Sequence, residues 1–288
     1  MIASLIAIKA ALSKMPLTAG LLQEAQTGTL TVSLLLVVDG MGLLSVVIFS
    51  KLASVFERKP FGVYGLPLRD AFQKGFWVGL AWGFCLASLD IGITSACRGF
   101  GFGRVALSGL HVVSYGLAWA LAFILVGLFE EFLYRGYAQH TLGIALGFWP
   151  AAILLSALFA ALHLMNAGES VVGALDVFIY SLLACFTLRK TGSLWFAVGL
   201  HAAWDFSLTF VYSVPGSGMQ AKGQLLASTL HGPTWLTGGT AGPEGSVIGL
   251  AVLAISFPIF SKLSPILGSG QESAGLIPRG DPTTAEIK

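Results

Sequence analysis

Charge is scarce in this chain. Asp, Glu, Lys and Arg together make up 10 % of its 288 residues, against about 25 % in an ordinary soluble domain. The formal net charge is +2 and no basic run exceeds a few residues, which argues against a nucleic-acid partner. Three cysteines (Cys85, Cys97 and Cys185) lie far apart without a C-x-x-C spacing. They read as small core residues, not as a disulfide framework or zinc ligands. No internal repeat is visible. The apolar start is short, contains Lys9 and has no basic flank before it. That pattern suits an interfacial helix better than a cleaved signal peptide.

Apolar residues are what the chain has in abundance, at 55 %. They fall in runs at about 30–49, 75–96, 112–133, 150–164, 171–188, 193–212 and 246–259. A bilayer-crossing helix needs about 20 such residues. The fold class is therefore all-α, a polytopic bundle of about seven transmembrane spans (six to eight), in an integral multi-pass membrane protein. The organisation reads as follows. An N-terminal interfacial segment (1–29) precedes a first span and cytoplasmic link (30–74). The core follows (75–212), then a Gly/Ser/Thr/Pro-rich external loop (213–245), a last span (246–262) and a disordered cytoplasmic tail (263–288). Lys51, Arg58, Lys59, Arg69, Lys74, Arg189, Lys190 and Lys262 gather on one side, and the other side has few basic residues. The positive-inside bias makes the first side cytoplasmic and leaves the N-terminus outside.

Against this apolar background the run Phe129-Glu130-Glu131-Phe132-Leu133-Tyr134-Arg135 stands out. Each charge placed in a membrane helix costs about 2.5–3.5 kcal/mol on insertion scales and usually lines a cavity or meets a partner. Glu131 and Arg135 stand at i and i+4, the favourable order for an ion pair on one helix face. Partners for the rest lie further on: His163, and His201 with Asp205 one turn later. Suppose the third span continues to about Thr141. Then Glu130, His201 and Asp205 lie roughly 16, 12 and 18 Å deep and His163 roughly 20 Å, at 1.5 Å per residue. Three separate helices then bring costly groups to one level, with Phe159 walling the pocket one turn before His163.

The chemistry of such a set is hydrolytic. Glu130, with His163 across the gap, has the groups to hold a water and take its proton for attack on a carbonyl. His201 with Asp205 supplies candidates for stabilising the oxyanion, Asp205 either donating to it or orienting the imidazole. Glu131 with Arg135 forms a supporting layer. Two histidines and a glutamate also make the His₂Glu set of catalytic zinc, but the H-E-x-x-H signature is absent, so the cofactor stays open. Asp39, Asp90 and Asp176 read as acids that bond neighbouring helices or sit near span ends. His111, His140 and His231 read as structural or solvated.

These residues resemble the CPBP family of intramembrane endopeptidases, which includes type II CAAX prenyl endopeptidases and bacteriocin-immunity (Abi) proteins. The family carries E-E-x-x-x-R, F-x-x-x-H and H-x-x-x-N or H-x-x-x-D. Here they are Glu130-Glu131…Arg135, Phe159…His163 and His201…Asp205, in order on successive apolar segments. The resemblance implies an endopeptidase acting on a membrane-associated peptide or protein, with the lipid bilayer as its other partner. It implies Glu130 as base, His163 positioning water, and His201 with residue 205 at the oxyanion. Asp205 stands where prenyl-protein endopeptidases have asparagine, so cleavage of farnesylated CAAX ends does not carry over directly. The alternative is a non-catalytic membrane regulator or self-immunity protein of the same fold; a small transporter using the acids as a proton or cation path comes third.

Overall fold

The computed structural model describes residues 16–268, with side chains described for 18–264. The start of the interfacial segment (1–15) and most of the tail (269–288) lie outside the described residues. A short helix α1 (Pro16–Gln26) leads through the two-residue strand β1 (Thr29–Leu30) into α2 (Val32–Phe56). Thr31 caps α2, its hydroxyl accepting the Leu34 N–H, the usual way of satisfying an orphan donor at a helix start. Then come α3 (Lys74–Ala96), strand β2 (Phe100–Gly101) and α4 (Leu110–Glu131). The chain stays helical from α4 through a π-helical stretch, Phe132–Ala138, into α5 (Gln139–Leu146). Next are α6 (Phe148–His163), α7 (Val171–Thr191) and α8 (Trp195–Phe206), the last extended by a second π-helical stretch, Ser207–Val211. After the loop carrying strands β3 (Gln220–Ala221) and β4 (Thr229–Leu230), α9 (Val247–Gly268) completes the bundle.

Each apolar run of the sequence is thus a helix, and the fold is an all-α polytopic bundle. Among the described residues five helical segments are long and apolar enough to cross a membrane: α2, α3, the α4–α5 unit, α7 and α9. Helix α6 is apolar but shorter. Helix α8 is also short and is buried from Trp195 through Trp204, so it lies inside the bundle with its neighbours around it. The cysteines do not behave alike: Cys185 is buried, whereas Cys85 and Cys97 are exposed.

Glycines set how closely α8 is approached. A Cβ on Gly79 or Gly83 of α3 would collide with the carbonyl oxygen of Phe196 or Leu200, and one on Gly199 with that of Phe76. From α4, Gly127 brings its Cα so close that a Cβ would stand 2.9 Å from the Val198 carbonyl and 3.5 Å from the His201 Cβ. Without a hydrophobic drive between helices in lipid, such small-residue seams supply the packing. Two neighbouring helices therefore fix the height and rotation of α8, which carries His201 and Asp205.

The loop 213–245 is a folded cap. Strand β3 runs parallel to β1, and β4 runs antiparallel to β2, so the Gly-rich turn at 99–103 serves as a docking edge. Asn166 donates to the Ser217 carbonyl at 2.9 Å and Thr240 to the Gly168 carbonyl at 2.8 Å. Glu244 anchors the cap to α8 by accepting from the Trp204 indole at 2.8 Å, and it also accepts from the Ser217 N–H. Burial pushes the Glu244 carboxyl up from 4.5 to about 7, and the charge of Asp205 acts in the same direction.

Two outcomes follow from this packing. Gly83→Val destabilises the purified protein by at least ~1–3 kcal/mol through overpacking. Gly92→Ala, on the same helix with nothing within 4 Å, leaves the thermal midpoint unchanged. The cap responds to pH with a definite sign. The closed state holds the Glu244 proton more tightly than an opened, hydrated one, so closure loses stability as pH rises from 4.5 through about 7. Amide exchange over 213–245, corrected for its intrinsic pH dependence, is faster at pH 8 than at pH 5. Glu244→Gln flattens that difference.

Candidate active site

The E-E-x-x-x-R motif ends α4 and enters the π-helical stretch, a feature often found at functional sites. The chain bends at Gly136, whose ψ of −117° is not helical. A side chain there would strike the Phe132 ring. Glu131 (0 % exposed) and Arg135 (2 % exposed) are both buried and pair at 3.4 Å between Oε1 and Nη1. The same Oε1 accepts the Tyr180 hydroxyl at 3.2 Å and meets His201 Nδ1 at 2.8 Å. One carboxylate oxygen therefore joins α4, α7 and α8.

With Nδ1 at Glu131, the His201 ring turns Nε2 toward the other two acids. Nε2 is 3.5 Å from Glu130 Oε2 and 3.4 Å from Asp205 Oδ2. The spacing suggested Asp205 as the carboxylate that orients His201, but the tight partner is Glu131. An i,i+4 neighbour on the same helix reaches Nε2 only at the edge of contact, whereas Glu131 approaches from across the interface. On α6, His163 Nδ1 donates to the Phe159 carbonyl at 2.9 Å, and the two rings meet edge to face at 4.4 Å. That bond leaves Nε2 as the nitrogen facing other partners. Phe159 also lies under the Arg135 guanidinium, 4.7 Å from ring centroid to Cζ. The Phe159…His163 spacing thus links the buried arginine to a second imidazole.

Glu130, His163, His201 and Asp205 all line one cavity of about 270 Å³. Glu131 and Arg135 stand behind its wall. The cavity also receives residues to which the sequence reading gave no site role. Asp39 and Asp176, read as helix-bonding or end-of-span acids, line it, as do Tyr180, Trp204 and Glu244. Asp39 lies inside the first apolar run, and an intramembrane acid is by default a site marker, so that signal was present. Glu244 had none, because its place in the cavity depends on how the cap folds. Asp90 differs: it is fully buried, receives the Thr94 hydroxyl at 3.3 Å and stays outside the cavity lining.

The side chains do not converge on a shared ion position among the described residues. Protein ligands to zinc lie at about 2.0–2.2 Å for nitrogen and oxygen. His201 Nδ1 and His163 Nδ1 are engaged by Glu131 and a backbone carbonyl, which leaves both Nε2 atoms available to the cavity. Among the described residues no three His, Cys, Asp or Glu side chains are disposed to share an ion.

Comparison with known proteins gives one match. Residues 112–207 fit the family model described as Type II CAAX prenyl endopeptidase Rce1-like. No curated protein and no solved structure matches the chain significantly. The matched segment contains Glu130, Glu131, Arg135, His163, His201 and Asp205, and leaves α1, α2, the cap and α9 outside. Over residues 112–207, a third of its length, the chain is similar to the type II CAAX prenyl endopeptidases.

Proposed function

We propose that the protein is an intramembrane endopeptidase that hydrolyses a peptide bond of a membrane-associated protein or peptide with a water activated by Glu130. The observation that carries this reading is the position of His201 Nε2 between Glu130 and Asp205, in a cavity that His163 also lines. Glu130 takes a proton from water as its oxygen bonds to the scissile carbonyl carbon. His163 accepts the water's other hydrogen through Nε2 and aims the lone pair. Carrying a proton on each nitrogen, His201 donates one hydrogen bond to Glu131 and offers the other to the developing oxyanion. Its charge is balanced by the carboxylates around it. Glu130 then passes its proton to the departing amide nitrogen as the C–N bond breaks.

Access comes from the capped end of the bundle. Every loop residue lining the cavity, from Asn166 to Ser217 and Glu244, belongs to that end. The opposite end carries Arg58, Lys59, Arg69, Lys74, Arg189 and Lys190. By the positive-inside bias the basic end is cytoplasmic, so the substrate reaches the cavity from the non-cytoplasmic face.

Glu130→Ala and His163→Ala each lower turnover of a cleaved membrane peptide by about 10²–10⁴-fold, with little change in thermal midpoint. Wild-type rates in either variant would leave the non-catalytic reading in its place. Sidedness is tested in a cysteine-free background (Cys85→Ser, Cys97→Ser, Cys185→Ser). A membrane-impermeant maleimide labels Ala227→Cys in intact cells, whereas Arg69→Cys reacts only after lysis. The reverse pattern would turn the cavity toward the cytoplasm.

A further inference from the structure

Three pieces close the mouth of the cavity: the corner formed by α1 and β1, the loop after α6, and the cap. Leu22 and Ala25 of α1 and Leu30 of β1 line the cavity, as do Asn166, Ser217 and Met219. Loop and cap hold each other firmly. Asn166 donates to the Ser217 carbonyl, the Gly168 N–H to the Gly218 carbonyl at 3.1 Å, and Thr240 to the Gly168 carbonyl. The corner is held far less. Of the described side chains of α1 only Thr18 is buried. It meets the cap through strand bonds, from the Gln220 N–H to the Gly28 carbonyl at 2.8 Å and from the Lys222 N–H to the Leu30 carbonyl at 3.1 Å. An exposed ion pair of Lys222 with Glu24, at 2.7 Å, joins them as well, and such pairs add little stability. Yet the corner spans the mouth. Helix α2 packs on α4, and α6 packs on α5 and α7; between the two, a Cβ on Gly28 would stand 3.5 Å from that of Ala167.

We propose that β3 is the seat of a substrate strand and that β1 is the chain's own occupant of it. An extended polypeptide pairs with β3 in place of β1, sets an apolar side chain where Leu30 now stands, and enters as the corner swings aside. Main-chain bonds hold the strand whatever its sequence, and the side-chain pocket makes the choice. That pocket is apolar: Leu30 packs with Leu35, Phe123 and Val126. Gly42 of α2 lies against the Phe129 ring, so Glu130 sits about 16 Å below the start of α2 at 1.5 Å per residue. An extended chain running in the direction of β1 covers that depth in about five residues. The seat therefore grips the substrate on the N-terminal side of the bond to be cut. Corner and β3 both lie outside residues 112–207, so the seat belongs to the chain's own additions. Hydrolysis of a seated peptide rests on the endopeptidase reading above; its docking does not.

The test uses full-length cysteine-free protein with Glu130→Gln, to stop turnover, in phosphatidylcholine nanodiscs, with empty nanodiscs as the blank. The probe is a fluorescent synthetic copy of the chain's own segment Glu24–Ser33. A resident strand lowers the apparent affinity of a competitor in proportion to its occupancy. Opening the corner with Glu24→Lys and Leu30→Ser therefore tightens probe binding at least ten-fold. Locking it does the reverse. The Cβ spacing of Gly28→Cys and Ala167→Cys suits a disulfide, and the oxidised protein binds the probe at least ten-fold more weakly than the same protein reduced, which serves as the reference for any strain at Gly28. A probe N-methylated at its leucine, and so stripped of a strand donor, also binds at least ten-fold more weakly. Equal affinity in the opened and locked proteins, or indifference to N-methylation, overturns the proposal. Cleavage assays with Glu130 restored separate the two readings. Glu130-dependent cleavage of a membrane peptide at equal rates in oxidised and reduced protein sinks the strand seat and leaves the protease. Probe binding that follows opening and locking, without cleavage of any peptide, does the opposite.

Discussion

A single carboxylate oxygen governs the arrangement of this bundle. Glu131 is wholly buried, and its Oε1 takes the guanidinium of Arg135, the hydroxyl of Tyr180 and the imidazole of His201. In hydrocarbon surroundings none of these groups has water to fall back on, so each depends on the others being in place. Removing one partner from such a set leaves a buried charge exposed to low dielectric and typically costs about 3–5 kcal/mol. The consequence for function is orientation. With Nδ1 held by Glu131, the His201 ring has no choice but to present Nε2 to Glu130 and Asp205. The acid that does the least in the cavity thereby decides what the cavity contains.

That node needs α8 at the right height, and the backbone seams provide it. Gly79 and Gly83 on one side and Gly127 on the other allow α8 to sit nearer its neighbours than any side chain would permit. The π-helical stretch then turns Arg135 back over Phe159, and Phe159 in turn supports His163. Packing, a buried ion pair and an aromatic stack thus form one connected support for two imidazoles that arrive on different helices.

Much of this was legible before any coordinates. The apolar runs mark the helices because membrane length fixes their size, and the i,i+4 pairs Glu131–Arg135 and His201–Asp205 are visible as spacings. Their partners across helices were not. Spacing gives the face on which His201 lies, but whether Asp205 or Glu131 reaches Nδ1 depends on helix rotation, which the glycine seams set. Gly79, Gly83 and Gly199 are plain in the sequence, yet nothing in it says which helices they join. Glu244 is harder still. A Gly- and Pro-rich stretch carries no periodicity, so the fold of the cap over the site comes from long-range pairing of β1 with β3 and β2 with β4.

The nitrogen spectrum of the His201 ring gives the most direct test, because it reads the Glu131 contact without a known substrate. Solid-state NMR on ¹⁵N-histidine-labelled protein, with the signal assigned by its loss in His201→Asn, should show Nδ1 protonated and strongly hydrogen-bonded. Glu131→Gln should shift Nδ1, whereas Glu130→Gln or Asp205→Asn should act chiefly on Nε2. A bare Nδ1, or a ring indifferent to Glu131, would contradict the account.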